Sequence, residues 1–319
     1  RALGACMLAV VQQTIGVTAP VFAMLFLGVV LKRLRLIDAG FINTASTLVF
    51  RGTLPTLLFL GIVQADLSQA LQPALLLYFL LATVGCFLLA WGWAIWRCPQ
   101  ADRGVYTQGA FRGNNGIVGL ALASSMYGDY GLSVGAVLGG LVILSYNTLA
   151  VIVLSIYNPQ AKTTPLGLLK GILGNPLIVG VLAAIPFAWW QISLPQWLLT
   201  SAGYFAQMSL PLALICIGGT LSLAALRESS GVAVSSSLMK LVWLPVLATL
   251  GAWCWGFRQA DLAILFVSFA SPTAAASSVL VKAIDGNHQL AAVIIVLTTL
   301  GSVLSINLGL LALQWLGWV

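Results

Sequence analysis

Charged residues are scarce in this chain. Lysine, arginine, aspartate and glutamate make up 7% of the 319 residues, while 60% are hydrophobic. A soluble domain carries roughly 25% charged residues, so this composition excludes a soluble globular protein and predicts a polytopic membrane protein. No polar stretch is long enough for a separate soluble domain. The net charge of +7 is therefore interpreted through membrane topology and not as a surface for nucleic acid.

Catalytic and metal-binding residue types are also scarce. The chain has one histidine, His288, and five cysteines without a CxxC pair, which argues against a zinc site or a disulfide framework. All seven acidic residues fall in predicted loops or at helix ends, whereas ion-coupled carriers usually keep an intramembrane carboxylate. We expect no cofactor, no resident metal and, without a nucleophile–base pair, no enzyme. A sodium site made of carbonyls and asparagines stays open.

Apolar runs of about 20 residues recur along the chain, and each is long enough to cross the hydrocarbon core. They predict about ten transmembrane helices, at residues 10–31, 41–63, 71–96, 104–126, 131–157, 166–189, 198–224, 232–256, 261–282 and 289–315. Basic residues concentrate in every second loop, at Lys32, Arg33, Arg35, Arg97, Arg103, Lys162, Lys170, Arg227 and Lys282. The positive-inside rule then places both termini on the non-cytoplasmic side.

The two halves of the sequence resemble each other. Thr53-Leu54-Pro55 is followed 156 positions later by Ser209-Leu210-Pro211. Leu144-Ser145-Tyr146-Asn147 is followed 160 positions later by Leu304-Ser305-Ile306-Asn307. We therefore predict two five-helix repeats, residues 1–160 and 161–319. Because five is odd, the repeats must be inverted in the membrane, and inverted repeats place a transport site at their interface.

The fourth predicted span carries a polar interruption, Phe111-Arg112-Gly113-Asn114-Asn115-Gly116. A charge at the bilayer centre costs roughly 2.5–3.5 kcal/mol even on the lenient insertion scale. A broken helix survives in the membrane only inside protein or beside a water-filled cavity. The ninth span has Ser271-Pro272-Thr273 at the equivalent place. Two interrupted helices in corresponding positions indicate a transporter site, although a locally kinked helix with Arg112 paired to a backbone carbonyl remains the alternative.

The candidate site consists of polar residues near these breaks and on one neighbouring helix. Arg112 is the expected partner of an anion, because a guanidinium group binds a carboxylate through two parallel hydrogen bonds. The N-termini of half-helices also favour negative charge. The other candidate substrate-binding residues are Asn114, Asn115, Ser271, Thr273, Arg51, Asn43 and Gln207. Gly113, Gly116 and Pro272 are expected to break the helices, and Pro55 and Pro211 to act as kinks or hinges.

Two other basic residues in predicted spans need not bind the substrate. Arg51 shares a helix stripe with Asn43 and Thr47 and either lines the site, snorkels, or braces a neighbouring helix. Lys240 lies towards the cytoplasmic end of its predicted span, so we expect it to snorkel to the membrane surface.

The stretch from Phe111 to Leu120 resembles the fourth-span motif of bacterial members of the auxin efflux carrier family. Ser271 to Ala274, Lys240 to Pro245 and Asn175-Pro176 are also similar to that family. The resemblance implies ten spans, crossing broken helices 4 and 9, and a fold shared with bile-acid sodium symporters. It also implies a scaffold of spans 1, 2, 6 and 7, a moving domain of spans 3–5 and 8–10, a homodimer, and a place in the bacterial inner membrane. The long central hydrophilic loop of the plant members is missing.

Together these observations predict a secondary transporter that moves a small organic anion, a mono- or dicarboxylate, by elevator-type alternating access. Within transport, the alternative is a sodium-coupled symporter of the bile-acid type. Outside transport, the alternative is a channel or a non-transporting membrane receptor.

Overall fold

The computed structural model describes residues 2–64, 72–157, 166–167, 170, 173–221, 227, 230–283 and 286–319. Within these residues the chain forms eleven helices: α1 Ala2–Arg33, α2 Ala39–Val63, α3 Pro73–Arg97, α4 Arg103–Phe111, α5 Asn115–Tyr157, α6 Pro176–Trp189, α7 Gln196–Thr220, α8 Gly231–Trp255, α9 Gln259–Ala270, α10 Ala276–Ala283 and α11 His288–Trp315. The predicted all-α architecture is confirmed.

Six of the described helices, α2, α3, α5, α7, α8 and α11, are long and apolar enough to cross a membrane. Helix α5 bends at Gly128, whose φ of 55° lies in the left-handed region. If α4 is joined to the first limb of α5, and α9 to α10, the described residues form ten segments at the predicted places. The sixth is the least well matched: its described helix begins at Pro176, and several residues between 166 and 172 lie outside the described part of the chain.

Helices α1 and α7 pack against each other through glycines. A Cβ on Gly218 would lie 1.8 Å from the carbonyl oxygen of Leu25, and a Cβ on Gly28 would lie 2.1 Å from that of Ile215. Helix α2 approaches α6 in the same way, because a Cβ on Gly180 would lie 2.8 Å from the carbonyl oxygen of Pro55. Small residues allow such close backbone packing in lipid, where no hydrophobic force drives helices together.

Irregular turns interrupt three long helices just before a proline. A π-helical turn, Val49–Thr53, precedes Pro55 in α2, and a second, Met239–Trp243, precedes the proline of α8. Helix α7 is interrupted at Met208, three residues before Pro211. Proline lacks an N–H and crowds the carbonyl four residues earlier, which favours a local departure from α geometry. The expected kinks therefore coincide with irregular backbone, while hinge motion at them stays a prediction.

Helix α3 supports the inner ends of two short helices. The Phe79 ring lies 5.1 Å from that of Phe269 near the end of α9. The Phe87 ring lies 5.2 Å from that of Phe111 at the end of α4. Aromatic pairs at these separations add about 0.5–1.5 kcal/mol beyond area burial. This packing holds the inner ends of α4 and α9 against α3, where the site lies.

Candidate functional site

The two broken helices meet at a short antiparallel β-bridge between Gly113 and Thr273. The Asn114 N–H donates to the Pro272 carbonyl at 2.7 Å, and the Ala274 N–H donates to the Arg112 carbonyl at 3.1 Å. Each break thereby satisfies backbone groups of the other, as the membrane interior requires. We call this region, residues 112–115 and 271–274, the crossover. The helices are interrupted around Gly113 and Pro272, where breaks were expected, whereas Gly116 lies within the first helical turn of α5 and does not break it.

Four helix ends converge at the crossover. Helices α4 and α9 end there, at Phe111 and Ala270, and their last carbonyls carry partial negative charge. Helices α5 and α10 begin there, at Asn115 and Ala276, and their first N–H groups carry partial positive charge. The crossover can therefore stabilise an anion on one side and a cation on the other.

Arg112 is a buried cation at the crossover. Its side chain is 8% exposed. Nη2 donates to the Asn147 side-chain oxygen at 2.7 Å, so its partner is an amide and not the backbone carbonyl of the alternative interpretation. Nη1 is buried and has no hydrogen-bond partner among the described residues. A buried donor without a partner is costly, so an acceptor that reached Nη1 would stabilise the site.

Two adjoining cavities meet at Arg112. The larger has a volume of about 810 Å³ and the smaller about 310 Å³. Both are lined by Phe50, Leu54, Arg112, Ile117, Asn147, Ala275 and Ala276. No acidic side chain of the described residues lines either cavity. The described lining of these cavities therefore supplies no counter-ion for Arg112.

The structure brings five predicted residues to these cavities besides Arg112. Asn43 and Arg51 of α2 line the larger cavity. Gly113, Asn114 and Gly116 line the smaller one. The predicted stripe on α2 and the predicted break in the fourth span therefore face the same space.

A protein family described as membrane transport protein matches residues 14–165 and 160–309 of the chain. The chain belongs to this family, the auxin efflux carrier family. An uncharacterized transporter of Methanothermobacter thermautotrophicus is 24% identical over 294 residues, which are 90% of this chain and 94% of that protein. The crossover is thus part of a multi-pass membrane transporter.

Three other predicted residues hold the carrier's crossover together and do not line the two cavities. The Ser271 hydroxyl lies 2.8 Å from the Asn115 side-chain oxygen. The Thr273 hydroxyl donates to the Gly109 carbonyl at 2.7 Å. All three side chains are buried. Gln207, on α7, is exposed and lies outside both cavities.

Lys240 does not snorkel, so that prediction is wrong. Its side chain is 1% exposed, and Nζ donates to the Phe269 carbonyl at 2.9 Å. Helix α8 begins at Gly231, so Lys240 lies roughly 13.5 Å along it, near half the thickness of a bilayer core. The reason is physical: the end of α9 offers a carbonyl inside the protein, so the amine does not need the membrane surface.

Asn147 was not among the predicted site residues of this carrier. It appeared in the sequence only as a marker of the repeat, with Asn307 as its mate. An asparagine inside an apolar span is itself a signal, because polar side chains in membrane helices usually contact a partner. The identity of that partner, Arg112, depends on how α5 packs against the crossover.

Proposed function

We propose that this chain is a secondary transporter of small organic anions, mono- or dicarboxylates, and that Arg112 binds the substrate carboxylate. The proposal rests on Arg112, which lines two cavities without acidic side chains among the described residues and whose buried Nη1 has no hydrogen-bond partner there. A carboxylate would supply the missing charge and the missing acceptor together.

The surroundings of Arg112 favour an anion as well. Asn147 holds Nη2 in place, which orients the guanidinium before the ligand arrives. Helices α5 and α10 direct their positive ends to the crossover, and Ala275 and Ala276 at the start of α10 line both cavities. Cavities of about 300–1,000 Å³ accommodate small molecules, so their volumes fit a small organic acid.

The position of the larger cavity supports alternating access. One wall comes from α2 and α7, including Asn43 and Ala213, and the other from the crossover, α5 and α10. Helices α1, α2, α6 and α7 correspond to the scaffold that the family resemblance implies. An anion held at Arg112 would then cross the membrane as the second group of helices moves past the scaffold.

The larger cavity lies towards the basic loops. Its lining includes Thr220 at the end of α7 and Leu280 in α10, which are followed in sequence by Arg227 and Lys282. By the positive-inside rule this is the cytoplasmic side. The structure therefore corresponds, on this proposal, to an inward-open carrier in a bacterial inner membrane.

The test is binding and transport by variants of Arg112. Thermal stabilisation of purified protein by a panel of mono- and dicarboxylates identifies ligands by mass action, and counterflow of labelled acid in proteoliposomes separates a carrier from a channel or receptor. Arg112→Ala should abolish transport. Arg112→Lys should bind the carboxylate roughly ten- to a hundredfold more weakly, because lysine keeps the positive charge but lacks the planar, bidentate guanidinium group.

Arg33→Gln is the matched control, since Arg33 is exposed at the end of α1. It should bind and transport as the native chain does. Unchanged affinity in folded Arg112→Ala protein would contradict the proposal and leave Arg112 a structural brace.

A further inference from the structure

Lys240 is the second buried cation at the crossover, and anion binding does not account for it. It lies in the π-helical turn Met239–Trp243 of α8 and lines neither cavity. Its Nζ points to Phe269, in the last turn of α9. A half-helix C-terminus inside a membrane protein is a common position for a bound sodium ion, because unwound carbonyls and the negative dipole end coordinate it.

Two further oxygen atoms lie near the ammonium group, around the Gly113 backbone. The position of a Cβ on Gly113 lies 2.5 Å from the Asn115 Oδ1, 2.7 Å from the Ser271 Oγ and 2.9 Å from the Lys240 Nζ. The amide, the hydroxyl and the ammonium therefore lie around the same side of Gly113, and the Phe269 carbonyl accepts the hydrogen bond from the ammonium. These are neutral oxygen ligands, the type that hard monovalent cations prefer.

The positive charge at this site comes from the chain itself, as the Lys240 ammonium group. No ion pair is present among the described residues, and Asp38, Asp102, Asp129 and Asp261 lie at the ends or bends of helices. The titratable group that interacts electrostatically with Lys240 is the buried Cys86 thiol on α3. With one positive charge already in place and no carboxylate to offset another, a second cation would be repelled.

We infer that Lys240 occupies a monovalent-cation site with its own ammonium group, so that the native carrier binds no sodium at the crossover and truncation of the side chain opens the site to Na⁺. This goes beyond the proposed anion transport, because it concerns the cation side of the crossover. It assigns the carrier to sodium-independent transport. It also explains why a lysine is kept near the bilayer midplane, where it is expensive.

The experiment measures cation binding without any organic anion, so it stands apart from the test of Arg112. Purified native protein and Lys240→Ala are melted in NaCl, KCl and choline chloride at equal ionic strength. The native midpoint should be the same in all three salts. Lys240→Ala should melt lower in choline and recover by roughly 2–4 °C in sodium when Na⁺ exceeds its Kd about tenfold.

Lys32→Ala is the matched control. Its Nζ also donates to a helix-terminal carbonyl, that of Gly219 at 2.6 Å, but Lys32 is exposed, so water can replace it. Lys240→Met should also fail to gain sodium binding, because it fills the space without an opening for an ion.

Two results would overturn the inference. One is sodium-specific stabilisation of the native chain, which needs no variant to measure. The other is a folded Lys240→Ala protein with the same midpoint in all three salts; Lys240→Ser serves if the alanine variant does not fold. Sodium-dependent counterflow that appears only in the truncated variants would extend the result to transport.

Discussion

Asn147 Oδ1 accepts a hydrogen bond from Nη2 of Arg112 at 2.7 Å, while Nη1 of the same guanidinium is buried and has no hydrogen-bond partner among the described residues. One asparagine therefore fixes the direction of the charge without neutralising it. An aspartate at that position would orient the guanidinium and also neutralise its charge, and this difference gives the first prediction.

Asn147→Asp should abolish anion binding, because its carboxylate would occupy the guanidinium in place of the substrate. Asn147→Ala should only weaken binding, by roughly tenfold, since Arg112 keeps its charge but loses its support. Isothermal titration with an acid found in the thermal screen measures both. Asn307→Asp is the control: Asn307 is the repeat mate of Asn147 and contacts Thr18, away from both cavities. Equal losses in the two Asn147 variants would contradict the orienting role.

The two glycines of the fourth-span motif should respond differently to alanine. In Gly113→Ala the new methyl would lie 2.5 Å from Asn115 Oδ1 and 2.7 Å from Ser271 Oγ, so the crossover must shift. We expect a loss of about 1–3 kcal/mol in the free energy of unfolding. Gly116→Ala meets nothing within 4 Å and should fold normally while it narrows the smaller cavity. Denaturant melts and anion titrations of both proteins compare the two effects.

Arg51 should distinguish dicarboxylates from monocarboxylates. It lines the larger cavity from α2 but is exposed, so its interaction with a second carboxylate is weakened by water. Arg51→Gln should lower dicarboxylate affinity by up to about fivefold and leave monocarboxylate affinity unchanged. A uniform loss for both classes would assign Arg51 to bracing or to the first carboxylate.

Packing of α1 against α7 should not tolerate a side chain at Gly218. The new Cβ would lie 1.8 Å from the Leu25 carbonyl oxygen, and a backbone atom cannot swing away as a side chain can. Gly218→Ala should lower stability by at least about 1–3 kcal/mol. Gly16→Ala, in the same α1 helix but with nothing within 4 Å, is the control and should be neutral or stabilising. Thermal melts in detergent check both.

Topology can be measured directly. Cysteines introduced at Lys170 and at Val319 should react with an impermeant maleimide from opposite sides of the membrane, because the basic loop is expected in the cytoplasm and the C-terminus outside. The exposed Cys254 must first be replaced by serine. Labelling of both positions from one side would contradict the odd number of spans per repeat.

The sequence was most informative where local chemistry decides the backbone. Pro272 removes a donor and disfavours helix in the residue before it, and Gly113 gives room for close approach, so both breaks were predictable. That Asn115 and Ser271 would contact each other was not, because their partners come from the other half of the chain. Gln207 follows Arg51 at the repeat offset of 156, and such an offset gives a position along a helix but not the face that the residue presents.

Lys240 shows the same limit more sharply. The snorkelling prediction used distance to the end of the span, a one-dimensional measure. The position of its amine was instead decided by a carbonyl at the end of α9, which exists only once two helices from different parts of the second half have packed.

The β-bridge between Gly113 and Thr273 also constrains how the protein is made. As the first half leaves the ribosome, its broken span enters lipid some 160 residues before its partner has been synthesised. Until then the backbone groups at the break have no complement, and hydrocarbon offers none. Biogenesis must therefore keep the first half in a provisional arrangement, shielded by the insertion machinery or by neighbouring helices. Completion of the second half is what commits both halves to the mature structure.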